Sequence, residues 1–144
     1  MAVPTSIELV ISSEIRLVDL VHEVTQKTAA LAGFDEDEAL NVGLAIREAL
    51  INAINHGNSG DPSKPVEIKL EIDPNRGMLV TVRDHGNGFD PRSSPDPTDA
   101  EHLLNTSGRG LLMMRAFVDE VEFDRAEGDG MEVRMVKKFG GSQA

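Results

Sequence analysis

The chain has 144 residues, 40% of them hydrophobic, a formal net charge of −11 and no cysteine, tryptophan or tyrosine. One domain with an aliphatic core is expected, and disulfides, thiolate nucleophiles and Cys-ligated zinc are excluded together, which fits a reducing compartment. Such acidity makes a poor generic nucleic-acid or anionic-membrane binder, and with no apolar run of membrane-spanning length and no leader-like start, a cytoplasmic protein is expected.

Residues 7–11 are a short apolar run that predicts a strand. Ser12 and Ser13 offer an N-cap to a helix over 14–31, with Ile15, Val18, Val21 and Val24 at helical spacing and Gly33 as its end. Asp35 caps a second helix over 36–56, whose acidic first turn suits the helix dipole. Residues 58–65 are rich in turn formers. Strict alternation over 66–72 and an apolar run over 78–84 predict a hairpin around Pro74-Asn-Arg-Gly77.

Residues 86–107 carry Pro91, Pro95 and Pro97 and predict a long lid or binding loop. A short helix over 111–117 follows, opened by Gly108-Arg-Gly110. Residues 118–123 and 131–139 predict two more strands around Gly128-Asp-Gly130. One domain over 1–139 with a loose tail over 140–144 accounts for the chain. Strands and helices are segregated more than they alternate. The expected class is therefore α+β: a two-layer α/β sandwich, with a mixed sheet carrying helices on one face.

The second helix carries the most information. Glu48, Asn52 and His56 are four apart and share one face, with Asn41 and Asn55 near the same stripe. The rest of the segment is apolar or small, including Leu40, Val42, Leu44, Ile46, Leu50, Ile51 and Ile54, so the helix should be largely buried. A polar line on a buried helix must be hydrogen-bonded to something. An acid, an amide and an imidazole facing a cavity could hold a metal ion and a base. Satisfied core polar groups or a solvated edge would give the same pattern.

Two glycine-bearing segments follow. Asp84-His-Gly86-Asn-Gly88 ends a strand with a carboxylate and lets backbone approach a ligand closely, as a site for a donor such as an adenine amine requires. An ordinary tight turn has the same residues. Gly108-Arg109-Gly110 opens a helix, where free N–H groups could receive phosphate and Arg109 could add a charged contact. A hinge before a core helix is the alternative. Neither a Walker A loop nor a dinucleotide fingerprint is present, and the usual protein-kinase elements are absent.

The order of these segments is distinctive: Glu-x-x-x-Asn on a helix, Asp-x-Gly-x-Gly at a strand end, a lid, then Gly-x-Gly at a helix start. It resembles the GHKL, or Bergerat-fold, ATPase superfamily. Arg47-Glu-Ala-Leu-Ile-Asn-Ala-Ile-Asn-His-Gly57, Val82-Arg-Asp-His-Gly-Asn-Gly-Phe89 and Ser107-Gly-Arg-Gly-Leu-Leu-Met-Met114 are most similar to bacterial anti-sigma-factor serine/threonine kinases. The resemblance runs from the first strand to Val136-Lys-Lys138. It implies that Asn52 coordinates Mg²⁺ shared with ATP, and that Glu48 is the base for the acceptor hydroxyl. It implies that Asp84 binds the adenine amine between Gly86 and Gly88, and that Gly108, Arg109 and Gly110 meet phosphate. His56 lies on the right face, where a helix-end cap is an equal alternative. His85 and His102 are expected at the surface.

Two positions depart from the family pattern. Thr106 stands where relatives often carry a basic residue, with Arg109 as a possible substitute. Gly130-Met131 stands where a Gly-Thr pair often places a hydroxyl near adenine, and a thioether cannot donate that bond. The implied partners are a sigma factor, held inactive, and a small STAS-type anti-sigma-factor antagonist that receives the phosphate. A homodimer through the first helix and the sheet edge is implied too, with Arg16 either at a partner contact or simply solvated. Three rival readings remain. One is a histidine-kinase-type catalytic domain, which needs a phosphoacceptor helix pair for which 47 residues ahead of Glu48 leave no room. The others are a non-catalytic ATP-dependent binding module and an α+β domain with no nucleotide.

Overall fold

The computed structural model describes residues 5–86, 110–125 and 130–140. Its first strand, β1 (Thr5–Ser12), leads through a 3₁₀ turn into helix α1 (Val18–Ala32), then α2 (Glu36–Asn52) and a π-helical turn, Ala53–Gly57. The hairpin β2 (Pro65–Asp73) and β3 (Gly77–Arg83) follows, then α3 (Gly110–Phe117), β4 (Glu120–Arg125) and β5 (Met131–Lys138).

The strands form one sheet in the order β1-β2-β3-β5-β4. Alternation places Val66, Ile68 and Leu70 of β2, Met78, Val80 and Val82 of β3, and Val133 and Met135 of β5 on one buried face. The helices cover that face with Val18, Val21, Val42, Ile46, Leu50 and Met114, so a single core lies between two layers. The α+β class and the helices on one face are as expected. The sheet was expected to be mixed, but among the described residues all four ladders are antiparallel. The reason is that β2–β3 and β4–β5 are hairpins, and β1 and β5 reach the sheet in the opposite sense to the strands they join.

Local signals at the second helix were accurate. Asp35 accepts from the Glu38 N–H at 2.8 Å and Glu38 accepts from the Asp35 N–H at 3.2 Å, a complete capping box. Gly33 ends α1 with φ of 104°, a left-handed cap that glycine adopts without strain.

Three expectations need correction. Ser12 and Ser13 do not cap α1: the chain enters through Ile15–Leu17, and no side chain caps either helical start. The Ser13 hydroxyl instead donates to the Lys64 carbonyl at 2.5 Å. Ile15 consequently falls off the buried stripe and is 50% exposed. The second helix is not α-helical to His56; it widens after Asn52 into the π turn. The strand expected over 118–123 begins at Glu120, because the Val118 N–H still closes the last turn of α3 on the Met114 carbonyl. The expected lid over 86–107, apart from Gly86, lies outside the described residues, as do residues 128–129 of the last turn and the tail over 141–144.

Candidate functional site

Asn52 and Asp84 come from different elements and share one cleft. Its walls are Ala49, Asn52 and Ala53 of the helix, Val82 and Asp84 of β3, Met114 of α3, and Phe123, Met131 and Val133 of the last hairpin. Asn52 is buried, and its side-chain Nδ2 has no hydrogen-bond partner among the described residues. A buried amide left unsatisfied costs about 1–3 kcal/mol, so its persistence here points to a ligand-facing role.

Asp84 follows the last residue of β3 and is 4% exposed. Its Oδ1 accepts from the N–H groups of Gly86 and Met131, both at 3.1 Å. The Asp84 N–H in turn donates to the Met131 carbonyl at 3.0 Å. Both backbone donors go to one oxygen, which leaves Oδ2 able to accept from a ligand. Burial pushes the Asp84 carboxyl above the usual carboxylate value, and the two N–H bonds partly oppose that rise.

Glycines bring the helix end and the strand end together. A Cβ on Gly57 would lie 2.0 Å from Asp84 Oδ2, and a Cβ on Gly86 would lie 1.4 Å from the Gly57 carbonyl oxygen. Gly130 has φ of 111°, and a Cβ there would meet the Asp84 carbonyl at 2.1 Å. No other residue fits these three contacts without moving Asp84 or its neighbours.

Glu48 lies one α-helical turn before Asn52 and is half-buried, outside the wall of this cleft. His56 sits in the π turn and is absent from the cleft wall. Asn55 is exposed. Gly110 is buried at the start of α3. Gly88, Gly108, Arg109 and His102 lie outside the described residues. His85 is not a free surface group: its ring meets the Glu67 carboxylate, and its N–H is held by Asn58 at 2.8 Å. Arg16 is exposed and pairs with Glu14 at 3.0 Å. Sequence reasoning missed Gly57, Asn58 and the Met131 backbone as parts of the site. A glycine at a helix end reads as a terminator, and nothing local marks it as a contact for an acid on a strand.

The donor set bears on a metal ion. No group of three or more His, Cys, Asp or Glu side chains could hold one among the described residues. Asn52 supplies a single hard oxygen donor, which suits an ion that keeps waters and takes its remaining ligands from substrate phosphates.

The fold recurs elsewhere. The description "Histidine kinase-like ATPase domain" belongs to the family whose model matches residues 11–137. The anti-sigma F factor of Anoxybacillus flavithermus is 35% identical over 112 residues, 75% of either chain. The serine-protein kinase RsbW of Bacillus subtilis is 27% identical over 143 residues, covering 95% of this chain and 88% of that one. Among solved structures, the RsbU and RsbW domains of a Mycobacterium tuberculosis protein superpose with a TM-score of 0.63 at 20% identity, over 93% of this chain and 32% of that one. At that identity the superposition shows the shared fold. With the match spanning most of its length, the chain belongs to the histidine kinase-like ATPase domain family.

Proposed function

We propose that this protein is an anti-sigma regulatory factor and an ATP-dependent serine/threonine kinase, a single domain over 1–139. It binds Mg·ATP, sequesters a sigma factor, and phosphorylates a serine or threonine of a STAS-type anti-sigma-factor antagonist. The observation that carries this is the convergence of a buried, unpartnered Asn52 amide and the Asp84 carboxylate on one cleft. The likeness to an anti-sigma F factor and to a serine-protein kinase supports the same reading.

In this reading Asp84 Oδ2 accepts from the adenine amine, and Met131, which lines the cleft, gives the base a thioether and no side-chain donor. The Asn52 amide oxygen would hold magnesium, which supplies charge neutralisation to the phosphates when bound. Glu48, one helical turn before Asn52, takes the proton of the acceptor hydroxyl as it attacks the γ-phosphorus. The γ-phosphoryl bond to the ADP oxygen breaks in the same displacement. Gly108, Arg109 and Gly110 receive the phosphates.

A second copy pairs through α1 and the β1 edge. β1 is an outer strand with Val10 69% exposed, and α1 presents Leu20 57% exposed. The reaction belongs in the cytoplasm, and no described helix is long and apolar enough to cross a membrane. Calorimetric titration with ATP, with and without Mg²⁺, tests the nucleotide site. Transfer of labelled phosphate to a serine of a STAS-type antagonist tests the kinase. Failure to bind ATP even at millimolar concentration would overturn the proposal.

A further inference from the structure

Asn58 is wholly buried beside the site, yet the chemistry above gives it no task. Its Nδ2 donates to Ser13 Oγ at 2.8 Å and to the Pro65 carbonyl at 3.0 Å, with a longer contact to the Lys64 carbonyl at 3.3 Å. Its Oδ1 accepts from the His85 N–H at 2.8 Å. Its own N–H closes the π turn on the Ala53 carbonyl at 2.8 Å. One residue therefore joins the exit of β1 and the entry of β2, through its side chain, and the end of the second helix, through its backbone, to the backbone between Asp84 and Gly86.

The need is specific. β3 ends at Arg83, so the His85 N–H has left the sheet ladder and requires another acceptor. An amide is the side chain that donates from one end and accepts at the other. The tolerance is small too, because Gly86 packs directly on the Gly57 carbonyl and Gly57 on the Asp84 carboxylate. A turn of this backbone would move Asp84 against the helix end.

We infer that Asn58 is a positioning residue for adenine recognition: its bond to the His85 N–H sets the backbone from which Asp84 and Gly86 meet the base. This rests on the ATP reading of the site.

The test compares ADP with IDP, whose base carries a carbonyl where adenine carries its amine, on the unmodified chain and on Asn58→Ala. The unmodified chain should prefer ADP by about tenfold or more, the worth of one hydrogen bond to a charged group. Asn58→Ala should reduce ADP affinity to that of IDP and leave IDP affinity unchanged. Equal losses on both nucleotides would show a general structural role and overturn the inference, as would a retained ADP preference. No preference in the unmodified chain would overturn the Asp84 reading and this inference with it. Should Asn58→Ala not fold, amide exchange of His85 in the nucleotide-free, unmodified chain decides. Slow exchange supports the Asn58 bond, and exchange at the rate of an unstructured peptide overturns it.

Discussion

Replacing Gly57 with alanine adds one methyl at the tightest approach between the helix end and Asp84. The new Cβ would lie 2.0 Å from Asp84 Oδ2, 2.2 Å from Cγ and 2.8 Å from Cβ, against 3.4–4 Å for ordinary contact. The carboxylate cannot simply swing away, because Oδ1 is held by the Gly86 and Met131 amides and the Asp84 backbone is tied to Met131. Either the carboxylate or the π turn must move by more than an ångström. Alanine gains about 1 kcal/mol of helix propensity over glycine. Forced overpacking costs about 1–3 kcal/mol. Stability should therefore fall only by roughly 0–2 kcal/mol, the difference between those two effects. Binding should suffer more. Losing one hydrogen bond to a charged group costs about 1.5–3 kcal/mol, or roughly 10–150-fold in the dissociation constant. Calorimetry with ADP on a variant whose melting curve shows it folded is the assay. Gly43→Ala is the control: its Cβ meets the half-buried His22 ring of α1, remote from the cleft, and ADP binding should be unchanged. A folded Gly57→Ala protein that binds ADP within about twofold of the unmodified chain would refute the packing argument.

Three further outcomes are expected. Asn52→Ala should keep the fold and lose the Mg²⁺-dependent part of ATP affinity; equal ATP affinity with and without the substitution would remove Asn52 as the metal-holding residue. Glu48→Ala should bind ATP normally and transfer phosphate about 10²–10⁴-fold more slowly, the usual worth of a general base, and unimpaired transfer in a single-turnover assay would reassign that role. Asp84→Asn should raise the melting temperature of the nucleotide-free protein at neutral pH and abolish adenine preference. The sign follows from burial, which raises the folded-state carboxyl above its ordinary 3.8, so the folded chain holds this proton more tightly than the unfolded one. That stabilisation is complete below pH 3.8 and is lost as pH rises through the raised value. The gain from asparagine should thus shrink on acidification, and ADP affinity of the unmodified protein should fall over the same window. A melting temperature at neutral pH no higher than that of the unmodified chain would contradict the buried-charge account.

The sequence alone determined what short-range rules control. Asp35 and Glu38 are three apart, so their capping box is readable before any fold is known. Period-two alternation marked β2 as a strand, and helical spacing put Val18 and Val21 on the buried stripe of α1. The Glu48–Asn52 line is legible for the same reason, as is the carboxylate at the end of β3. Tertiary structure alone decided what those residues meet. Asn58 lies 45 residues from Ser13 and 27 from His85, and reads along the chain as one turn former among several. Its burial follows only once β1, β2 and β3 pair and bring three backbone segments with unmatched donors and acceptors to one point. The π turn that carries His56 accompanies the same junction, where the helix end packs on Gly86 and Asp84. Propensity and periodicity describe a residue's neighbours along an element, whereas a buried amide is positioned by the polar groups that long-range pairing leaves unsatisfied.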